Sequence, residues 1–255
     1  MTSDDVIPAP LRRLWRLPES SRLGRPATLD VDRIVAAAVQ IADRDGLGGV
    51  TLPKVAESLG FTGMSLYRHV GSKDELLTLM ADYALGAPPD LDTDDWRDGL
   101  RKWAFAQRAL LQRRPWLTRI PTSGPPSGPH QIAWMEVALT IMSRTRLDWA
   151  HKVGALLLIS GYVLQSVRQY HELAEGRAEG QGQADAERDY GRALAQLVEP
   201  ERFPETARLF SSMLFEAPPS DTPDAAVADA DFSLGLELIL DGVAVQIERS
   251  GLADR

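Results

Sequence analysis

Between Gly60 and Lys73 the chain carries Thr62, Ser65, Tyr67, Arg68 and His69 and no acidic residue. Tyr67, Arg68 and His69 are consecutive, and Gly63 and Met64 stand just ahead of them. Such a row can donate hydrogen bonds, present a cation and offer an apolar tip. It has no carboxylate to take a proton. The surface that suits it is anionic and rich in acceptors, such as phosphate oxygens and the edges of bases.

A helix pair with a tight turn would position that row. Ala56, Gly60 and Leu66 stand at i, i+4 and i+10: a small residue for close helix approach, a glycine for a left-handed turn, and an apolar residue to close the core. With those three turned inward, Thr62, Gly63, Met64, Ser65, Tyr67, Arg68 and His69 fall on the exposed N-terminal end or outer face of the second helix. In helix-turn-helix proteins that face enters the major groove of DNA. A hairpin whose polar face meets only water would have the same helices, but such faces usually carry Glu and Lys.

The surrounding sequence reads as helices. Val31, Ile34, Ala38, Ile41 and Ala42 share one face, and Gly46 with Gly48 and Gly49 ends that helix. Leu52, Val55 and Leu59 mark a second, with Thr51 as N-cap and Pro53 in its first turn. A third is predicted over Gly63–Val70. Ser72 and Glu75 have capping-box spacing for a fourth, with Leu76, Met80, Tyr83 and Ala84 as its inner stripe. The Pro/Gly-rich segment 86–95 reads as a domain boundary.

Beyond it, Trp96, Leu100, Trp103, Leu110 and Leu111 recur at helical spacing, then a loop at 121–129. Ile132, Met135, Leu139 and Met142 make a further helix, and 148–173 a long apolar one. Residues 174–189 are rich in Gly, Ala and charge and predict a mobile segment, with helices near 204–215 and 226–249. No stretch alternates as a half-buried strand must. The expectation is an all-α protein: a basic flexible arm (1–28), a three-helix helix-turn-helix DNA-binding domain (29–86), and a larger helical effector-binding and dimerisation domain (87–255).

Charge divides along the same line. The net charge is −8, yet residues 1–80 hold ten basic and ten acidic residues, so the excess acid lies in the rest. Residues 10–29 carry five arginines against Glu19. Arg22 and Arg25, nearest the first helix, are the candidate phosphate contacts of an arm that four prolines keep from forming a regular helix. A solvated tail without a partner would have the same composition.

There is no cysteine, so disulfides and thiolate metal sites are excluded and a reducing cytoplasm is expected. The first residues lack the apolar core of a signal peptide. The apolar run 153–164 is shorter than the roughly 20 residues a bilayer requires, so no membrane partner is expected. No nucleophile–base arrangement, phosphate-binding glycine loop or HExxH motif occurs, and the four histidines are dispersed. An enzyme, a cofactor and a metal site are therefore not expected. A helical adaptor binding only protein would need neither the basic arm nor the polar third helix.

Residues 96–171 hold five of the six tryptophans. Trp103, Trp116, Trp134, Met135, Met142 and Tyr162 could line an apolar cavity, with His130, Gln165 and His171 as orienting groups for a large planar effector. Aromatic stripes at this spacing are equally what an ordinary core shows. In 232–247, Phe232, Leu236, Ile239, Leu240, Val243 and Ile247 form one face, and Leu234 with Leu238 a second. Burial on two sides suggests a four-helix interface with a second copy; a buried helix within a monomer is the alternative.

The segment "VAESLGFTGMSLYRHVGSKDELL" strongly resembles the DNA-binding region of TetR-family transcriptional regulators, as does the basic "SRLGRPATLD" before it. "RKWAFAQRALLQRRP" and "DFSLGLELILDGVAVQIERSG" are similar to the C-terminal domain of the tetracycline repressor subgroup. The resemblance implies a regulator, most commonly a repressor, that binds a palindromic operator as a homodimer and is released by a small effector; activators share the fold. It assigns Tyr67 and His69 to the DNA backbone or adjoining base edges, Ser65 and Met64 to bases and methyl groups, and Lys73 to a phosphate. Arg68 takes a position that varies with the operator, suited to guanine, and Lys54 stands near a phosphate. The subgroup's magnesium–tetracycline groups are replaced: Ile120 stands for a histidine, Trp103 for an asparagine and Gln169 for a glutamate.

Overall fold

Asp30, Thr51 and Ser72 begin three successive helices in one manner: each side-chain oxygen accepts the backbone N–H three residues on, at 2.8, 3.3 and 3.0 Å. The computed structural model describes residues 7–17, 29–91, 94–122, 124–177, 181–215 and 224–253. The caps open α2 (Val31–Asp45), α3 (Leu52–Ser58) and α5 (Lys73–Leu85), with α4 (Gly63–Val70) between the last two. Gly46, Gly60, Gly71 and Gly86 close the elements at positive φ, between +59° and +76°.

Ile34, Val35, Ala38, Val55, Ala56, Leu66, Val70, Leu76 and Met80 are buried together, and α2 packs on α3 and α5. The predicted inner stripe of α5 needs one correction. Tyr83 is exposed, whereas Leu79 and Asp82 are buried.

The expectation that no regular helix forms in residues 1–28 is overturned for Ala9–Leu14, which is α1. Pro10 sits in its first turn, where no intrahelical N–H is required, and Leu14 is buried. Residues 1–6 and 18–28, with Arg22 and Arg25, lie outside the described residues.

The helices continue with α6 (Trp96–Arg113), a 3₁₀ turn (Pro115–Arg119), α7 (Pro129–Ser143), α8 (Trp149–Gly176), α9 (Gln183–Leu197), α10 (Pro204–Phe210), a second 3₁₀ turn (Met213–Phe215) and α11 (Asp224–Ala253). Among the described residues there is no strand. Of the segment expected to be mobile, 174–189, residues 174–176 end α8 and 183–189 start α9, while 178–180 lie outside the described residues. Its Ala, Gln, Glu and Arg residues are good helix formers, and their propensity outweighs the glycines.

Compactness divides the chain elsewhere than at residue 86. Residues 1–167 with 242–255 form one unit, and 168–241 the other. In the first unit α5 packs on α7 and α6 on α7. In the second, the rings of Tyr190, Phe210 and Phe215 cluster with centroids 5.3–6.0 Å apart. Gly191 leaves room for Phe215 there, since a Cβ at Gly191 would strike its ring.

Candidate nucleic-acid interface

α4 is held by two residues and shows the others. Leu66 and Val70 are fully buried, while Met64 is 77% and Tyr67 49% exposed. Arg68 and Thr62 are exposed, and Gly63, Ser65 and His69 half-buried. The turn before α4 contains Gly60 at φ +76°, and Ala56 is buried beneath it. The three positions that sequence spacing assigned to the helix-turn-helix core therefore occupy the expected places.

Two details bear on what α4 can touch. A Cβ at Gly63 would have nothing within 4 Å, so packing inside the chain does not require glycine there. The open space lets another backbone approach the first turn of α4. The Ser65 hydroxyl donates to Thr62 O at 2.5 Å, which leaves its lone pairs free to accept. Lys73 is exposed as the first residue of α5, and Lys54 on α3. Lys54 borders a groove of about 460 Å³ between α2 and α3, with Arg44, Asp45 and Glu57. Hydrogen bonds from Arg44 hold the Asp45 carboxyl below its usual range.

The residues assigned to an effector cavity lie in the first compact unit, except His171, which falls in the second and whose Nε2 is buried without a hydrogen-bond partner. The indole N–H groups of the first set are engaged inside the chain. Trp103 is 2% exposed and donates its indole N–H to Trp134 O at 2.9 Å. Trp134 donates to Gly86 O at 3.1 Å, and Trp116 to Asp43 Oδ1 at 2.7 Å. Met142 is fully buried, Met135 and Tyr162 half-buried, and Gln165 exposed on α8. His130 is not a free orienting group: its Nδ1 stands 3.0 Å from Asp82 Oδ2.

Asp82 is a functional position that the sequence reading missed. Its buried carboxylate accepts the backbone N–H groups of His130 and Gln131, each at 3.0 Å. It thus caps α7 from α5, because the N-cap itself is Gly128, which has no side chain. A Cβ at Gly128 would collide with that carboxylate. The signal lay in sequence, as an acid three residues after Leu79 on a helix's apolar face.

Two further links were missed and had no local signal. Arg114 donates to Asp43 Oδ1 at 3.2 Å and to Ala84 O at 3.0 Å, joining the 3₁₀ turn after α6 to α2 and α5. Arg13 on α1 pairs with Glu75 on α5, and Trp15 donates to Ser127 O at 2.8 Å.

Exposed apolar side chains lie on the two longest helices. On α8, Trp149, Val153, Leu157 and Leu158 are 54–74% exposed. On α11, Leu234 and Leu238 are each 67% exposed, while Phe232, Leu236, Leu240 and Val243 are buried. The two faces expected on α11 are thus one covered and one open. α8 extends well beyond the apolar run 153–164, to a length and composition that could cross a membrane. It has 28 residues and an 18-residue window of mean hydropathy 1.2, because its single polar residues interrupt the apolar run without lowering the average much. One weakly apolar helix of this kind also suits a protein interface.

Residues 34–80 match the family described as bacterial regulatory proteins, tetR family, and residues 88–247 match the tetracyclin repressor-like C-terminal domain. The chain is 37% identical over 243 residues to the HTH-type transcriptional repressor DrrR1 of Streptomyces coeruleorubidus, covering 93% of this chain and 85% of that protein. It is 29% identical to the class A tetracycline repressor of transposon 1721 from Escherichia coli, covering 85% of this chain and 91% of the repressor. Among solved structures, ActR of Streptomyces coelicolor in complex with actinorhodin aligns with TM-score 0.68 at 26% identity, covering 87% of this chain and 98% of ActR.

Proposed function

The chain belongs to the TetR family of bacterial transcriptional regulators, and we propose that it is a cytoplasmic repressor released from its operator by a polycyclic, largely apolar effector. Its family is one of DNA-binding regulators rather than enzymes. The observation that carries the DNA reading is the partition of α4: Leu66 and Val70 sealed in the core, Met64, Tyr67 and Arg68 left in solvent.

In this reading Thr62, Gly63, Met64, Ser65, Tyr67, Arg68 and His69 meet the major groove. Lys54 and Lys73 bind phosphates on either side, with Arg22 and Arg25 reaching the backbone from the segment before α2. A second copy covers the open aliphatic faces of α8 and α11. Two-fold protein symmetry then maps onto a palindromic operator. Aliphatic side chains exposed to more than half their area gain about 25 cal/mol per Å² when another apolar surface covers them.

The effector is proposed to bind beside α6, α7 and α8, where Met135, Tyr162 and Gln165 keep accessible surface. The faces of Trp103, Trp116, Trp134 and Met142 would stand behind them, with His130 at the start of α7. That ActR was solved with actinorhodin supports an aromatic polycycle as the ligand class.

The test begins with selection of duplexes from a random DNA pool, followed by shift assays at two salt concentrations. An enriched site with a dyad, bound far more weakly at the higher salt, is expected. Aromatic polycycles are then screened for release. A pool that yields no enriched sequence, or a site without a dyad, overturns the reading.

A further inference from the structure

α1 stands outside the helix-turn-helix, yet its side chains reach three parts of the first compact unit. Arg13 pairs with Glu75, and the two side chains are only 25% and 14% exposed. Glu75 is folded over the end of the recognition helix, where a Cβ at Gly71 would land on its carboxylate and 3.1 Å from an Arg13 guanidinium nitrogen. Arg16 donates to Asp32 in the first turn of α2 at 2.7 Å. Trp15 donates to Ser127 O at 2.8 Å, in the loop that enters α7. The same loop is fixed from the other side, since Gln131 Oε1 accepts the N–H groups of Ser127 and Gly128 at 3.0 and 3.1 Å.

We infer that α1 is a positioning strap: it holds the Gly71 turn that sets the angle of α4, and links that turn to the loop heading α7. The inference rests on the DNA-binding reading above and assigns Arg13 and Trp15 to it as positioning residues. Arg13 is tied to Glu75 and Arg16 to Asp32, so neither guanidinium is offered to phosphate. The pair at Arg13 is mostly screened from water, so its attraction is less weakened by solvent and salt than a surface pair. A displacement of the loop before α7 pulls on Trp15, and through Arg13, two positions before it at the end of α1, on the end of the recognition helix. This route runs beside the direct contact of Asp82 with α7.

Three variants of the full-length protein separate the strap from its alternatives: Arg13→Gln, Trp15→Phe, and Arg13→Gln combined with Glu75→Gln. Trp15→Phe removes the indole N–H but keeps an aromatic ring at a half-exposed position, so folding is retained. In the DNA-free protein, hydrogen exchange at residues 71–76 should quicken in Arg13→Gln, and exchange at residues 124–131 in Trp15→Phe. Unchanged exchange in both overturns the strap whether or not the protein binds DNA.

With a duplex selected from a random pool as the probe, Arg13→Gln should weaken binding about three- to thirtyfold. The slope of log affinity against log salt should stay unchanged. The double variant should be no weaker than Arg13→Gln alone, because both changes break one link. A slope flattened by about 0.9 per protomer would show that Arg13 touches phosphate, and would overturn the inference. Operator binding should slow exchange at residues 124–131 in the wild type and leave it unslowed in Trp15→Phe. Slowing that persists in that variant overturns the link to α7, while a pool with no enriched duplex counts against DNA binding itself and leaves the DNA-free arm to decide the strap.

Discussion

α4 and the tryptophan group of α6 and α7 have opposite designs. α4 buries only Leu66 and Val70 and leaves Met64 77% exposed. The tryptophans bury their rings and use their N–H groups inside the chain, Trp103 to Trp134 O and Trp134 to Gly86 O. Side chains left in solvent, as Met64, Tyr67 and Arg68 are, can be met by a partner from outside. Side chains whose donors are already satisfied hold the protein together first, and a ligand can meet only what remains of their faces. One region is built to be occupied from outside, and the other to carry the shape that decides when.

The largest test of this contrast is Trp103→Ala. A tryptophan that is 2% exposed should cost about 3–5 kcal/mol of stability when truncated. Urea unfolding measures it. Trp103→Phe should lose less, about 0.5–1.5 kcal/mol for the missing indole hydrogen bond, since Trp134 O lies within α7 and keeps its helical partner. If Trp103→Ala melted like the wild type while altering ligand response, the ring would belong to an effector cavity and the contrast would break.

Asp82→Ala probes the joint between the two regions. Its carboxylate alone satisfies the N–H groups of His130 and Gln131 among the described bonds, so its removal should cost about 1–3 kcal/mol. The loss should appear as faster hydrogen exchange at the start of α7, while exchange in α3 stays slow. Uniform destabilisation across both would mean that Asp82 supports the core at large rather than this joint.

The contrast also explains what could be read in the sequence. Ala56, Gly60 and Leu66 act within eleven residues, and their spacing alone places α3, the turn and α4. The caps at Asp30, Thr51 and Ser72 are equally local. The joint is not. Asp82 meets residues 48 and 49 positions away, Asp43 meets Arg114 across 71, and Arg13 meets Glu75 across 62. A pair so distant leaves no period in the sequence, so α1 read as a flexible arm and His130 as an open polar group. The tryptophans were legible as a stripe, but whether a stripe faces a cavity or a neighbour depends on packing from other helices.

On the DNA side the effects are smaller but divide cleanly. Arg68→Ala should relax base preference at one position per half-site, at about 1–3 kcal/mol for a bidentate contact. Lys73→Ala should weaken all duplexes alike and flatten the salt slope by about 0.9 per protomer. Selection from random pools with each variant measures both. An unchanged sequence logo for Arg68→Ala would remove its role in base reading and leave α4 a backbone-binding helix.

The smallest expected effect is none. The class A tetracycline repressor shares 29% identity with this chain, so tetracycline with magnesium is a natural ligand to try. The resemblance to that subgroup assigns Ile120, Trp103 and Gln169 to the positions where it holds its drug and metal. Ile120 has no lone pair to give a cation. Trp103 is donor-only, and its N–H is committed to Trp134 O. Gln169 is exposed and neutral, a weaker partner for a hard cation than a carboxylate. Thermal-shift titration with tetracycline and magnesium should therefore leave the melting temperature unchanged, and an aromatic polycycle that releases the operator should do so equally with and without a chelator. A magnesium-dependent shift would mean that other side chains hold the metal. The tryptophan region would then join α4 as a surface built to be occupied from outside.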